Sequence, residues 1–234
     1  MTIKIKKEDL KETKNQRSNK PRVYVALVVD KSGSMGSIRD EAISAVNEQI
    51  QTVKNRADEV DTLVSLVTFD SSVNIQYYNQ PLSEVKDLTE KTYYPDGGTA
   101  MRDGVGTIVT RLSDDLKDVD EKEDYSVLVA IVSDGYENSS KEFSASEISE
   151  MVKSKQDTKK WTFVYLCANQ DLTKIKDQFG FKTGNIMSFA ATSRGVKNLS
   201  GEFSSGINSY YRSRVAGETE MENFAEAAKE STDE

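Results

Sequence analysis

The chain has 234 residues, of which 36% are hydrophobic and 30% are charged, with a formal net charge of -8, which suits one sizeable domain with polar ends. Because the sequence contains no histidine, it excludes imidazole-based catalysis and the common zinc sites. The single cysteine, Cys167, excludes an internal disulfide and thiolate clusters, so any metal site must rely on oxygen ligands.

The two ends of the chain differ in charge and mark the predicted domain boundaries. Residues 1–21 form a basic N-terminal arm that is predicted to be disordered, and residues 215–234 form an acidic C-terminal tail. Residues 22–214 between them are expected to fold as one domain that does not need either end. A basic arm can contact nucleic acid, but a solvated tail is the more common outcome, and the acidic body does not favour nucleic acid as a partner.

Three features of the sequence predict a cytoplasmic protein. The lone cysteine suits a reducing compartment. The charged N-terminal stretch lacks the apolar core of a signal peptide. No apolar run reaches the length needed to cross a bilayer, so a membrane partner is not expected.

From Arg22 onward, apolar strand-like runs alternate with segments of helical periodicity. Strands are predicted at residues 23–29, 63–69, 73–77, 125–132, 161–168 and 186–190. Helices are predicted at residues 38–57, 100–112, 144–155, 172–179 and 195–214, the last with interruptions at Gly201 and Gly206. The helix at 144–155 begins with a capping box formed by Ser144 and Glu147. Residues 82–96 carry no clear pattern, and the acid-rich residues 114–124 predict a solvated connection.

This alternation predicts an α/β fold with a central, mostly parallel sheet and helices on both faces. Only residues 70–72 separate the strands at 63–69 and 73–77, which is too short for a parallel crossover. The strand at 73–77 is therefore predicted to be one antiparallel edge strand. Ligands of such sheets bind at the carboxyl ends of the strands, so the loops that follow them are the places to search for a site.

Oxygen-bearing side chains occur at three of these loops. The first strand is followed by Asp30, Ser32 and Ser34 in a tight turn that contains glycine. The strand at 125–132 is followed by Asp134, and Thr99 lies on a Gly-rich loop, expected to be flexible, just before a helix. Two carboxylates and three hydroxyls at one sheet edge suit a hard cation such as Mg²⁺, which keeps several waters and octahedral geometry.

The pattern Asp-x-Ser-x-Ser, a Thr in a Gly-rich loop and a later Asp-Gly resembles the metal-ion-dependent adhesion site of von Willebrand factor type A domains, which have a Rossmann-like fold. The resemblance covers residues 22–214. It implies that Ser32, Ser34 and Thr99 bind Mg²⁺ or Mn²⁺ directly, while Asp30 and Asp134 hold coordinated water. It also implies a binding module rather than an enzyme, with an open metal position that accepts an Asp or Glu carboxylate from a protein partner.

Other interpretations of these residues stay open at the sequence level. The hydroxyls can be ordinary helix caps. A Mg²⁺-dependent phosphatase of the haloacid-dehalogenase type would use Asp30 as its nucleophile, but that class needs a second acid where this chain has Ser32. Asp103, one turn into a helix, either braces a loop of the site or only favours the positive end of its helix. Asp70 is predicted to be a turn residue.

Two further residue groups have ordinary structural explanations. Cys167 lies among apolar residues and is expected to be a buried thiol that acts as a small hydrophobe. The tyrosines Tyr77, Tyr78, Tyr93 and Tyr94 flank the unassigned stretch. Packing in the core or at the sheet edge is favoured for them over a contact patch.

Overall fold

A six-stranded sheet in the order β3-β2-β1-β4-β5-β6 forms the centre of the protein, whose computed structural model describes residues 20–119, 124–168 and 172–230. The strands are β1 Arg22–Asp30, β2 Asp61–Phe69, β3 Val73–Pro81, β4 Tyr125–Ser133, β5 Trp161–Ala168 and β6 Ile186–Phe189. All neighbouring strands run parallel except β2 and β3, which form an antiparallel pair at one edge. The predicted fold class is confirmed. Most of the basic arm, residues 1–19, lies outside the described residues.

Within the described ranges, six α-helices surround the sheet. They are α1 Arg39–Lys54, α2 Met101–Leu116, α3 Ala145–Asp157, α4 Leu172–Phe179, α5 Ser193–Val215 and α6 Phe224–Glu230, with short 3-10 helices at Gly33–Ile38 and Thr183–Asn185. In the described parts of the chain, no helix is long and apolar enough to span a membrane. The capping box at α3 is confirmed, because the Ser144 and Glu147 side chains each bind the other's backbone N–H.

The central strand β1 is buried on both faces because its side chains alternate between two apolar cores. Val25, Leu27 and Val29 belong to the core beneath α1 and α5. Ala26 and Val28 belong to the core beneath α2 and α3. A strand with helices on both faces has no solvated side, which explains the continuous apolar run in its sequence.

The structure corrects two predictions about helices. Helix α2 continues to Leu116, so Asp114 and Asp115 belong to its last turn rather than to a solvated connection. Helix α5 is continuous from Ser193 to Val215 and is not interrupted at Gly201 or Gly206. A glycine inside a helix costs about 1 kcal/mol relative to alanine, and tertiary packing along α5 offsets this cost.

Gly206 shows why a glycine occurs inside α5. A Cβ atom at this position would lie 2.2 Å from the ring of Phe224, which is fully buried. Phe224 opens α6, so the close approach of α5 and α6 depends on the missing side chain at Gly206.

The segment after Val215, expected to be an acidic tail, packs against the core through Phe224 and Ala228. That it is dispensable for folding stays a prediction. The side chain of Asn185 donates to the carbonyl of Met221 at 2.9 Å and accepts from the backbone N–H of Phe224 at 2.9 Å. Lys182 forms ion pairs with Glu220 and Glu222. The packed part of the chain therefore extends to α6, because Phe224 fills the space beside Gly206 of α5. The sequence around Phe224 has no periodic pattern that predicts this contact.

Candidate metal site

The carboxyl ends of β1 and β4 bring two of the candidate residues to one edge of the sheet. β1 and β4 are parallel neighbours with Val29 opposite Val132, so the loops that carry Asp30 and Asp134 leave the sheet side by side. After β1 the chain enters the 3-10 helix Gly33–Ile38, which buries Met35 beneath it. This anchor holds the loop that carries Ser32 and Ser34 over the sheet edge.

Hydrogen bonds connect the carboxylates of this edge to hydroxyl groups and backbone. Asp30 accepts the N–H of Ser32 at 2.7 Å with Oδ1 and the hydroxyl of Ser133 at 2.6 Å with Oδ2. The hydroxyl of Ser34 donates to Oδ1 of Asp134 at 2.6 Å and lies 3.1 Å from the Ser32 hydroxyl. Asp30 is thus held by Ser32 of its own loop and by Ser133 at the end of β4, and Asp134 is held by Ser34.

Thr99 reaches the same point from a third loop. A Cβ atom built on Gly135 would lie 3.1 Å from Oγ1 of Thr99, 3.5 Å from Oγ of Ser34 and 3.8 Å from Oδ2 of Asp30. Side-chain oxygens from the segment after β1 and from the loop of Thr99 therefore surround one small space, which the absent side chain of Gly135 leaves open. The five residues singled out in the sequence lie together.

The Gly-rich loop that carries Thr99 is hydrogen-bonded on both sides. Thr99 exchanges two bonds with Asn138, from its N–H to Oδ1 at 2.9 Å and to its carbonyl from the Asn138 N–H at 3.0 Å. Gly97, at a φ of 67°, accepts the N–H of Gly33 at 3.1 Å. These bonds hold a loop whose glycines predict flexibility, because its backbone groups find partners that are distant in sequence.

The electrostatic state of Asp30 favours a bound cation. The pKa of Asp30 is raised to about 6, because burial and, as a smaller cause, the charge of Asp134 outweigh the hydrogen bonds from Ser133 and Ser32 that lower it. Burial also raises the pKa of Asp134. The ammonium of the adjacent Lys31 pairs with Asp70 rather than with either acid. A divalent cation would lower both pKa values, because a nearby positive charge favours the ionised carboxylates.

The donor set decides which cation fits. In residues 20–119, 124–168 and 172–230, no three His, Cys, Asp or Glu side chains are grouped as metal ligands. The candidate donors at this edge are the hydroxyl groups of Ser32, Ser34 and Thr99 and the two carboxylates of Asp30 and Asp134. This all-oxygen set fits Mg²⁺ or Mn²⁺ and does not suit softer metals.

Some residues that support the site carry no recognisable sequence signal. The buried hydroxyl of Tyr93 donates to the carbonyl of Asp30, although 63 positions separate the two residues. Ser133, next to Asp134, contributes a hydroxyl donor. Gly135, which leaves the open space, belongs to the Asp-Gly pair recognised in the sequence. Only the adjacency of Ser133 to Asp134 offered a signal for it in the sequence.

The structure decides between the interpretations of two other acids. The carboxylate of Asp103 accepts the backbone N–H groups of Lys141, Glu142 and Phe143 at 2.8, 3.0 and 3.0 Å, so it braces the loop that follows Asp134. Asp70 is a turn residue as predicted, because its Oδ1 accepts the N–H of Ser72 at 2.7 Å.

Comparisons with known proteins agree with this architecture. Residues 25–201 match the sequence profile of the family described as von Willebrand factor type A domain. No curated protein matches the chain.

Solved structures with the same fold come from proteins of different kinds. The pilus adhesin SpaC from Lactobacillus rhamnosus GG, in an open conformation, has a TM-score of 0.58 at 12% identity over 87% of this chain and 31% of that one. The SpRpn10 VWA domain has a TM-score of 0.53 at 10% identity over 76% of this chain and 94% of that one. The ArnB paralog VWA2 from Sulfolobus acidocaldarius has a TM-score of 0.50 at 14% identity, over 79% of this chain and 44% of that one. This chain therefore spans less than half of the adhesin and of the archaeal protein, and these likenesses concern the fold alone.

Proposed function

Because this chain belongs to the von Willebrand factor type A domain family, we propose that it is a divalent-cation-dependent protein-binding module of the adaptor or assembly type. Domains of this family commonly serve in protein interactions. The observation that carries the proposal is the convergence of Thr99, Ser34 and Asp30 oxygens around one open space beside Gly135.

The proposed roles are those that the resemblance to a metal-ion-dependent adhesion site implies. Ser32, Ser34 and Thr99 would bind Mg²⁺ or Mn²⁺ through their hydroxyl oxygens, and Asp30 and Asp134 would hold coordinated water. When bound, the cation supplies an electrophilic position that attracts a carboxylate of a partner's Asp or Glu. Because the direct protein ligands are neutral hydroxyls, the cation keeps most of its charge for that carboxylate.

A phosphatase with Asp30 as its nucleophile has no support. The Asp30 side chain is fully buried, and both of its carboxylate oxygens accept hydrogen bonds from the protein. Position 32, where the phosphatase class needs an acid, is Ser32, whose hydroxyl lies beside that of Ser34. A binding module that is not an enzyme fits these contacts better. The lone, buried Cys167 supports a cytoplasmic location as part of the same proposal.

Thermal unfolding with and without Mg²⁺ tests the proposed metal site. A ligand that binds only the folded protein stabilises it by about 2.7 kcal/mol at a hundredfold excess over Kd. We expect Mg²⁺ or Mn²⁺ to raise the Tm of the wild-type chain, and Asp134→Ala to remove this response while the protein still folds. Asp134 is chosen because it is half-buried and contacts Ser34 alone among the candidate ligands.

A charge-matched control distinguishes loss of the site from loss of charge. Asp118 is exposed just after the end of α2 that lies away from the site. Asp118→Ala should keep the full response to Mg²⁺. No change in the wild-type Tm at millimolar Mg²⁺ and Mn²⁺ would count against the metal site, and an equal response in Asp134→Ala would exclude Asp134 from it.

A further inference from the structure

Two exposed tyrosines lie on the loops that form the candidate metal site. The exposed fractions are 69% for Tyr94 and 52% for Tyr136. In the part of the chain that the structure describes, the third large hydrophobic residue that is exposed is Val215, at the end of α5 on the opposite edge of the sheet. Packing explains the buried Tyr93, but it does not explain these two side chains.

Tyr94 is held beside the loop that follows β1. Its neighbour Tyr93 donates its hydroxyl to the carbonyl of Asp30. On the other side, the N–H of Asp96 donates to the carbonyl of Lys31 at 2.9 Å. The Arg39 guanidinium lies 5.7 Å from the centre of the Tyr94 ring, a cation–π contact that favours one position of this exposed side chain.

Tyr136 is held equally firmly beside the loop that carries Thr99. It directly follows Gly135, whose Cα borders the open space between the candidate ligands. It directly precedes Glu137, which accepts the N–H of Arg102 at 2.8 Å and that of Ser140 at 2.9 Å. Both tyrosines therefore project from loops in which neighbouring residues are hydrogen-bonded to other parts of the chain.

Rigidly held, exposed tyrosines are typical of contact residues in protein interfaces. They offer a large apolar area, and little conformational entropy is lost when they are covered. The charges around them limit what covers them: Asp96 is exposed and Asp134 is half-buried at the same face, and the Arg39 guanidinium lies against the Tyr94 ring. A partner segment with a run of acids would be repelled here, whereas a single acid among apolar residues would be attracted by the cation and by the rings.

We propose that Tyr94 and Tyr136 select the partner, and that the partner is a protein segment in which a single Asp or Glu is flanked by apolar side chains. The proposal rests on the proposed function, since the central acid binds through the cation. The tyrosines add the contacts that distinguish this segment from other acidic segments.

Titration of the full-length, ¹⁵N-labelled protein with blocked peptides in millimolar Mg²⁺ tests the proposal. The probes are Gly-Leu-Asp-Leu-Gly, Gly-Gly-Asp-Gly-Gly and Gly-Glu-Asp-Glu-Gly. We expect the leucine-flanked peptide to bind tightest, by about tenfold over the glycine-flanked one, which corresponds to about 1.4 kcal/mol. The double variant Tyr94→Ala/Tyr136→Ala should lose this preference and keep its affinity for Mg²⁺. Val215→Ala, the matched change at the opposite edge, should keep the preference.

The outcomes separate this proposal from the function on which it rests. Equal, Mg²⁺-dependent binding of the leucine- and glycine-flanked peptides would overturn the role of the tyrosines and leave the metal-dependent function standing. So would a preference that survives the double variant, or tightest binding of the glutamate-flanked peptide. If no peptide responds to Mg²⁺, both the function and the tyrosine proposal are overturned.

Discussion

At the scale of single residues, the Ser34 hydroxyl of the candidate site can donate a hydrogen bond and still offer its oxygen to a cation. Ser34 donates its proton to Asp134 at 2.6 Å. A hydroxyl has one proton and two lone pairs, so this bond leaves the oxygen's lone pairs available to a cation. A carboxylate that accepts this hydrogen bond also makes the hydroxyl oxygen more negative, so Asp134 would strengthen Ser34 as a neutral ligand without adding a charge to the direct shell of the proposed cation.

Gly135→Ala tests the open space at the centre of the site. Its new Cβ would lie 3.1 Å from the Thr99 hydroxyl and 3.5 Å from that of Ser34. We expect the affinity for Mg²⁺ to fall by at least about tenfold, an effect of about 1.4 kcal/mol, while the protein stays folded. Isothermal titration calorimetry measures the change.

Gly36→Ala is the matched control, because Gly36 lies in the 3-10 helix after β1, next to the site, and a Cβ there would meet no atom within 4 Å. Its affinity for Mg²⁺ should equal that of the wild type. If Gly135→Ala binds Mg²⁺ as tightly as Gly36→Ala does, the cation does not occupy the space beside Gly135.

The raised pKa of Asp30, about 6, predicts a pH dependence of stability in the metal-free protein. An acid whose pKa is raised by folding stabilises the folded state below its unfolded pKa, and this contribution is lost as the pH rises through about 6. With a chelator present, Asp30 should therefore make the wild type more stable at pH 5 than at pH 7, by about 1 kcal/mol.

Urea unfolding of the wild type and of Asp30→Asn at both pH values isolates this contribution. The difference between their free energies of unfolding should change by about 1 kcal/mol from pH 7 to pH 5, because the amide does not titrate. A constant difference across this range would show that Asp30 does not titrate near pH 6.

At the scale of elements, helix α6 and its close contact with α5 decide where the folded unit ends. Phe224 is fully buried against Phe203, with ring centres 5.3 Å apart. Phe224→Ala should lower the free energy of unfolding by about 3 kcal/mol, the usual scale for a buried Phe. Denaturant unfolding measures this loss.

Glu226→Ala provides the control on the same helix. Glu226 is exposed, so its replacement should stay within about 0.5 kcal/mol of the wild type. Equal stability of the Phe224→Ala and Glu226→Ala variants would show that the segment after Val215 is dispensable, as the sequence alone predicts.

At the scale of the whole molecule, the candidate site and the C-terminal segment lie at opposite ends of the strands. The site lies at the carboxyl ends of β1 and β4, whereas Met221 binds Thr162 near the start of β5. α5 runs between the two ends along one apolar core, which it shares with Met35 beneath the site loop. The packing of Phe224 and Met221 is thus distant from the loops that are proposed to bind a partner, although one apolar core connects the two ends.

The sequence by itself determined where the strands lie, because each buried strand is a continuous apolar run. The short link at residues 70–72 determined the antiparallel pair. The sequence also determined which residues bring oxygen to the site, since Asp30, Ser32 and Ser34 are neighbours in one turn. Their roles as ligands remain a prediction.

Only the tertiary structure decided what surrounds those residues. The bond from Ser133 to Asp30 joins residues 103 positions apart, and that from Tyr93 joins residues 63 apart. The burial of Phe224 against Gly206 and the bracing of a loop by Asp103 are of the same kind. Such contacts leave no periodic pattern in the sequence, because each depends on the packing of separate elements and not on the spacing of residues within one.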